Sequence, residues 1–324
     1  MYKLLLSITR KEGSCLKRYL LQRFIAMVLA LWVIITLTFI LMHLAPGDPF
    51  EKERSSNEVV MQNIRAYYQL DQPYMIQYFS YLRSILTLDF GPSLVKDRQT
   101  VNQMLASGFP ISLELGFWAL LVATLTGITL GVIAALRHNR LLDYGAMVVA
   151  VIGISVPNFI MAALLKKYLA VEWNLLPVAT WGTPLHIVLP ALALTFGPLA
   201  IIARLTRSNM LEVLTQDYIR TARAKGLHPV VIVLKHALRN ALLPVVTLLG
   251  ALIPGILTGS FVIEKIFAVP GIGGYFVESI NNRDYPTIMG TTVLYSSFFI
   301  LMMLVVDLAY SLLDPRIRLD QKGE

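Results

Sequence analysis

The sequence predicts an all-α, polytopic membrane protein with six transmembrane helices. Of its 324 residues, 56% are hydrophobic and only 15% are charged, whereas soluble domains average about 45–50% and about 25%. Six apolar runs come close to the length of about 20 residues that a helix needs to cross about 30 Å of hydrocarbon. The predicted spans are residues 24–44, 111–136, 142–165, 185–203, 241–263 and 291–313.

The first apolar run is predicted to be a retained helix rather than a cleaved signal peptide. Residues 24–44 carry no formal charge, and this length exceeds the usual signal-peptide core of about 7–15 residues. No clear small-x-small cleavage site follows the run. The chain also has a single cysteine, Cys15, which excludes an intrachain disulfide and makes a structural zinc site unfavourable.

The distribution of Lys and Arg predicts the orientation of the spans. With the N-terminus inside the cell, 18 of the 28 basic residues fall on the cytoplasmic side, and only four lie outside once the long 45–110 loop is set aside. Short cytoplasmic loops carry such an excess. Both termini are therefore expected in the cytoplasm, and the net charge of +8 is explained by membrane topology rather than by binding to nucleic acid.

Two connections are longer than turns. The external one, residues 45–110, is predicted to form a helical loop domain, with one or two amphipathic helices between Glu58 and Leu88. It is interpreted either as a cap over the external mouth or as a docking face for an extracytoplasmic partner, and both readings stay open. The internal connection, residues 204–240, carries seven basic residues against Glu212 and Asp217.

The middle of the internal connection predicts a short basic helix. Thr215 or Asp217 is expected to cap its start, Gly226 to end it, and Pro229 to act as a stop signal. The small side chain of Ala222 is expected to allow close approach to a groove on a soluble partner, and a solvated helix on anionic lipid is the alternative. The predicted docking residues are Asp217, Tyr218, Ile219, Arg220, Thr221, Ala222, Arg223, Ala224, Lys225 and Gly226.

The run from Tyr218 to Pro244 resembles the cytoplasmic coupling-loop signature of importer-type ABC permeases, in particular the B-type membrane subunit of oligopeptide permeases. The family signature is a Glu-Ala-Ala triplet, three residues and then Gly. This chain has Arg220-Thr221-Ala222 before Gly226, a basic form that looks usual for the peptide branch. Further matching stretches are 44–49, 89–93, 259–264, 270–273, 282–285 and 314–318.

The resemblance implies a type I ABC importer permease that forms half of a translocation pathway for oligopeptides. It implies four kinds of partner: a homologous C-type permease, two ATP-binding subunits, an extracytoplasmic peptide-binding protein and the membrane lipid. The phosphate-binding pattern GxxxxGK[ST] does not occur in the sequence. The chain is therefore expected to be no enzyme and to hold no cofactor, while ATP and Mg are bound by the ATPase subunits.

The predicted organisation follows from these features. It comprises a cytoplasmic N-terminus (1–23), the first span (24–44), the external loop domain (45–110), a permease core with five spans and the coupling loop 204–240 (111–314), and a cytoplasmic C-terminus (315–324). The expected location is the cytoplasmic (inner) membrane.

Residues near the end of the fifth span are candidates for a gate or pathway: Pro254, Gly255, Gly259 and Glu264. Glycines four apart, as at Gly255 and Gly259 or at Gly127 and Gly131, also permit close helix packing, so packing and kinking remain alternatives.

The alternative functions are the same transporter with another cargo (dipeptides, a nickel chelate or glutathione) and, more distantly, an ion-coupled carrier. Zinc-protease and nucleophile-elbow motifs do not occur in the sequence.

Overall fold

A computed structural model describes residues 2–44, 66, 71–96, 99–257 and 260–313, with only the backbone described for 2–21 and 308–313. Over these residues the chain is helical apart from turns and one isolated β-bridge between Pro92 and Thr100. The predicted all-α class is therefore confirmed. Several predicted features lie outside the described residues: 45–65 and 67–70 of the external loop, Gly259, and the C-terminus from 314 onward.

The helices follow one another in a simple order. They are α1 (Tyr2–Leu44), α2 (Tyr74–Thr87), α3 (Val101–Leu136), α4 (Leu141–Ser155), α5 (Asn158–Glu172, π-helical from Lys166), α6 (Pro184–Leu214), α7 (Asp217–Ala224), α8 (Pro229–Ala241, π-helical over Ile232–Ala237), α9 (Leu243–Leu257), α10 (Phe261–Phe267), α11 (Ile272–Asn282) and α12 (Tyr285–Leu313).

The membrane spans agree with the prediction in number when each bent helix pair is counted as one span. Four segments are long and apolar enough to cross a membrane alone: 22–44 in α1, α3, α6 and 285–307 in α12. Two helix pairs meet the same criteria only together, α4 with α5, bent by 108°, and α8 with α9, bent by 50°. The predicted span 142–165 therefore contains a sharp bend, and the predicted span 241–263 begins at one.

Proline explains both breaks. Val156 precedes Pro157 and adopts an extended conformation (φ −90°, ψ 120°), as expected for a residue whose helical conformation clashes with the proline ring. Pro244 lies in the first turn of α9. A proline clashes with the carbonyl group four residues earlier, and that residue, Asn240, belongs to α8. The sequence analysis accepted proline inside a membrane span. At Pro157 and Pro244, however, one helix ends and another begins.

The described residues divide into two compact units. One unit comprises residues 1–105 and 278–304, and the other residues 106–277 and 305–324. In the first unit, Phe39 and Met42 of α1 pack with Ile288 and Met289 of α12 and with tyrosines of α2. Buried Asp284 there accepts hydrogen bonds from the hydroxyl of Ser93 and, at 2.8 Å, from that of Thr287.

The second unit is organised around α6. Glycines let α3 and α4 approach α6 closely. A Cβ added to Gly131 of α3 would lie 2.6 Å from the carbonyl oxygen of Ala203. A Cβ added to Gly153 of α4 would lie 2.6 Å from the carbonyl oxygen of Phe196. A Cβ on Gly127 would meet Ile202 at 2.9 Å. Of the two readings of Gly127 and Gly131, the structure therefore shows close packing. It also makes α3, α4 and α6 one closely packed group.

Candidate functional site

Helix α7 lies in the second unit and has well-defined ends. Lys225 closes the helix and Gly226 follows with a φ of +76°, a conformation that glycine adopts without steric cost. The amide of Leu227 donates to the carbonyl of Ala222 at 3.3 Å, and that of Gly226 to the carbonyl of Arg223 at 2.9 Å. These two bonds form a Schellman motif, which fixes where the helix stops.

The start of α7 differs from the prediction. Gln216 occupies the N-cap position and makes no capping bond through its side chain. The Thr215 hydroxyl instead donates to the carbonyl of Glu212 at 2.7 Å, so it closes α6. Asp217 is the first helical residue, where its negative charge is favourable beside the helix N-terminus. Pro229, predicted as a stop signal, occupies the first turn of α8, a position that proline favours.

The buried face of α7 is turned toward its own chain. Ile219 is fully buried and Ala222 is 6% exposed. Both belong to an apolar cluster with Ala135 of α3, Met210 of α6 and residues of α8. The prediction that Ala222 faces a partner protein was therefore wrong, because this small residue lets α7 pack against the helices of the same chain.

The opposite face of α7 is exposed and charged. Asp217, Arg220, Arg223 and Lys225 all lie on the surface. Arg220 Nη1 is 3.4 Å from Asp217 Oδ1, and their side chains are 72% and 95% exposed. A pair this exposed contributes little stability, so both side chains are available for contacts with another protein.

Two amide side chains tie the surroundings of α7 together. Asn240 Nδ2 donates to the Tyr218 hydroxyl at 2.9 Å, joining α7 to the end of α8. Asn209 Nδ2 donates to the carbonyl of Ala241 at 3.2 Å, joining α6 to the bend between α8 and α9. These two bonds connect α7 to α8 and α6 to the bend that follows α8.

Glu264 is the centre of a second polar cluster in the same unit. It lies in α10, outside the candidate spans, and its side chain is fully buried. Glu264 Oε1 accepts from the Ser112 hydroxyl of α3 at 2.8 Å, and Oε2 accepts from the amide of Gly273 at 2.8 Å. The Ser112 oxygen in turn accepts from the amide of Ile272 at 3.0 Å. The carboxyl group thus joins α3, α10 and the start of α11.

The glycines before and within α11 leave room for this carboxyl group. A Cβ on Gly271 would clash with Glu264 Oε2 and with the Ser112 oxygen, and a Cβ on Gly273 would lie 2.8 Å from Oε2. The segment 270–273 had been singled out only as a resembling motif. Neither Ser112 nor the contact of this motif with Glu264 was predicted, since residues so far apart in sequence give no local signal of their proximity.

Burial controls the charge of Glu264. Loss of solvent raises its pKa to about 7, and the hydrogen bonds from Ser112 and the amides of α11 oppose that rise.

The other candidate pathway residues are Pro254, Gly255 and Gly259, and the structure gives less information about them. Pro254 is buried near the end of α9, and a Cβ on Gly255 would meet no atom within 4 Å. Close packing within the chain therefore does not explain a glycine at position 255, and Gly259 lies outside the described residues.

The apolar spans define a polytopic membrane protein, and an exposed basic helix lies between two of them. Residues 127–319 match the family described as "Binding-protein-dependent transport system inner membrane component", and residues 16–116 match the corresponding N-terminal family. The chain belongs to this family of membrane transport permeases, so it is a transporter component and not an enzyme.

Similar proteins span almost the whole chain. It is 62% identical over 94% of its length to the dipeptide transport system permease protein DppB of Bacillus subtilis, of which 99% is covered. It is 44% identical over 93% of its length to the oligopeptide transport system permease protein OppB of Escherichia coli, again with 99% covered. The predicted resemblance to peptide ABC permease B subunits is thereby confirmed.

A solved structure supports the fold. A methionine ABC transporter, MetNI, in an inward-facing conformation gives a TM-score of 0.55 at 20% identity, covering 65% of this chain and 96% of that one. The predicted fold of a type I ABC importer permease is therefore confirmed. Membership of this family implies a partner permease, an ATPase and a binding protein, an inner-membrane location, and no cofactor held by this chain.

Proposed function

We propose that this chain forms half of the translocation pathway of an ATP-driven importer of oligopeptides, together with a homologous C-type permease subunit. Two ATP-binding subunits hold ATP and Mg, and an extracytoplasmic peptide-binding protein delivers the cargo. The observation that carries the proposal is an exposed basic helix, α7, rigidly packed between the membrane helices of a chain that is 44% identical to an oligopeptide permease. The 62% identity to a dipeptide permease favours dipeptides as the second candidate cargo.

We assign docking of the ATPase to α7. Its exposed charges, Asp217, Arg220, Arg223 and Lys225, are suited to pair with groups of opposite sign on a soluble protein. Its buried residues, Ile219 and Ala222, fix it to α3, α6 and α8. Closure of the ATPase subunits then displaces α7 and the helices behind it, and one packed bundle moves against another to open the pathway inward or outward.

The same proposal places α7, the N-terminus (1–23) and the C-terminus (315–324) in the cytoplasm. The excess of Lys and Arg in the connections on this side supports that orientation. The external loop domain (45–110) then faces the binding protein. We assign the gate or pathway to the end of the fifth span and the residues after it, with Pro254, Gly255 and Gly259 as its candidate residues and Glu264 as the anchor that joins α3, α10 and α11.

Uptake of labelled peptides into proteoliposomes tests this function. The chain is reconstituted with its C-type permease, ATPase and binding-protein subunits, and uptake of dipeptides is compared with that of longer peptides. We expect uptake only when ATP and the loaded binding protein are both present. Uptake that persists without the ATPase subunits would refute the proposal, and the ratio between the two peptide classes decides the cargo.

A further inference from the structure

An ion pair between a buried aspartate and a partly exposed arginine joins α4 to α6 in the second unit. Arg207 Nε donates to Asp143 Oδ1 at 2.6 Å, and Arg207 Nη2 donates to Oδ2 at 2.8 Å. Asp143 is only 1% exposed. Two parallel bonds of this kind fix the relative orientation of both groups as well as their distance.

The pair also fixes the turn between α3 and α4. The amide of Asn139 donates to Asp143 Oδ2 at 3.0 Å. His138 Nδ1 lies 3.2 Å from Arg207 Nη2 and 3.3 Å from Asp143 Oδ2. A single buried carboxylate therefore contacts the turn that leaves α3 and the arginine of α6, and removing the arginine would leave the carboxylate buried without its counter-charge.

The same end of α6 supports α7. Met210, one turn after Arg207 and fully buried, packs with Ile219 and Ala222 of α7 in the apolar cluster. Ala135, near the end of α3, packs in that cluster as well. The ion pair and the apolar cluster thus lie on consecutive turns of α6. The cluster connects α6 to α3, and the ion pair connects α6 to α4 and to the turn that follows α3.

We propose that Asp143 and Arg207 are positioning residues for energy coupling: they make α3, α4 and α6 move as one body with α7, so that displacement of α7 reaches the membrane helices. This inference rests on the proposed function of α7. Close packing at Gly131 and Gly153 holds α3 and α4 against α6, but apolar contacts have no preferred direction. The bidentate ion pair adds a directional contact at the end of α6 that supports α7, so its loss weakens the transmission of a displacement of α7 to α4.

The test is the number of peptides transported per ATP hydrolysed in reconstituted complexes that carry Asp143→Asn. We expect hydrolysis stimulated by the loaded binding protein to persist, while the transport ratio falls by about fivefold or more. The matched control is Glu172→Gln, which breaks the exposed Lys167–Glu172 pair. It should change the ratio by less than about twofold.

Arg207→Lys keeps the positive charge but loses the forked contact, so we expect an intermediate ratio. Arg207→Lys also serves as the test variant if the Asp143→Asn complex fails to assemble. An unchanged ratio in an assembled Asp143→Asn complex, or in Arg207→Lys when the first variant does not assemble, would overturn the inference. Absence of transport by the unmodified complex would instead refute the proposed function, so the two failures are distinguishable.

Discussion

The carboxyl group of Glu264 accepts a hydrogen bond from the hydroxyl of Ser112, 2.8 Å away and 152 positions earlier in the chain. This contact fastens α10 to α3, and the amide of Gly273 at the start of α11 completes the cluster. The hydrogen bonds that hold a fully buried acid change with its protonation state. Its titration therefore offers a direct test of how the cluster is held.

Stability should depend on pH through Glu264. Its pKa is raised from 4.5 to about 7, so between these values the folded protein binds more protons than the unfolded chain. The free energy of unfolding should consequently fall as pH rises through this window, by on the order of 2–3 kcal/mol. Thermal unfolding of the purified transporter as a function of pH measures the effect.

Glu264→Gln provides the control for that measurement. The amide keeps the shape and the acceptor oxygen but does not ionise, so the slope between about pH 5 and 7 should become smaller. An identical slope in the variant would show that other groups cause the pH dependence.

Gly131→Ala should destabilise the packing of α3 on α6. The added Cβ would lie 2.6 Å from the backbone carbonyl of Ala203, so the helices must move apart, at a cost of about 1–3 kcal/mol. Gly145→Ala is the matched control, because a Cβ there meets no atom within 4 Å. The control should be neutral or stabilising by up to about 1 kcal/mol. Equal unfolding temperatures for the two variants would contradict the close approach.

Substitutions on the two faces of α7 should have different effects. Ala222→Leu overfills the cluster with Met210 and should lower the unfolding temperature, with a cost of about 1–3 kcal/mol. Ala224→Trp alters an exposed position. It should leave stability unchanged while it weakens binding of the ATPase subunits. The affinity for the ATPase subunits and the unfolding temperature are measured for both variants. A loss of stability confined to Ala224→Trp would show that our assignment of the buried and exposed faces is wrong.

The end of α7 should depend on the backbone conformation of Gly226. Its φ of +76° is strained for a β-branched residue, so Gly226→Val should cost about 1–2 kcal/mol and reduce transport per ATP. Gly226→Asn should be tolerated better, since asparagine adopts left-handed conformations more readily. Both variants have open space around the added Cβ. A difference between them in unfolding temperature therefore reports backbone strain, and no difference would argue against it.

The sequence was most informative where the signal is local. The helix between Asp217 and Gly226, with a glycine at its end, was predicted from its basic and small residues, and the structure contains it as α7. The number of spans also followed from apolar length. The breaks at Pro157 and between Ala241 and Leu243 were not predicted, because proline is compatible with membrane helices when neighbouring groups satisfy the backbone.

Long-range contacts account for the other differences. Ile219 and Ala222 stand three residues apart, a spacing that places both on one face of a helix, but the sequence did not show that this face packs on Met210 of the same chain. Asp143 and Arg207 are 64 positions apart. Arg207 was counted only as a charge in a cytoplasmic connection, and Asp143 falls at the start of the predicted third span. Pairing of this kind depends on how the helices pack and leaves no periodic pattern.

Photo-crosslinking from the exposed face of α7 tests the central claim most directly. A photoreactive residue is placed at position 223, and the assembled transporter is irradiated in sealed vesicles of known orientation. We predict a crosslink to an ATPase subunit that is lost when those subunits are removed. A crosslink to the extracytoplasmic binding protein, or labelling of position 223 by an impermeant reagent added outside, would contradict the account.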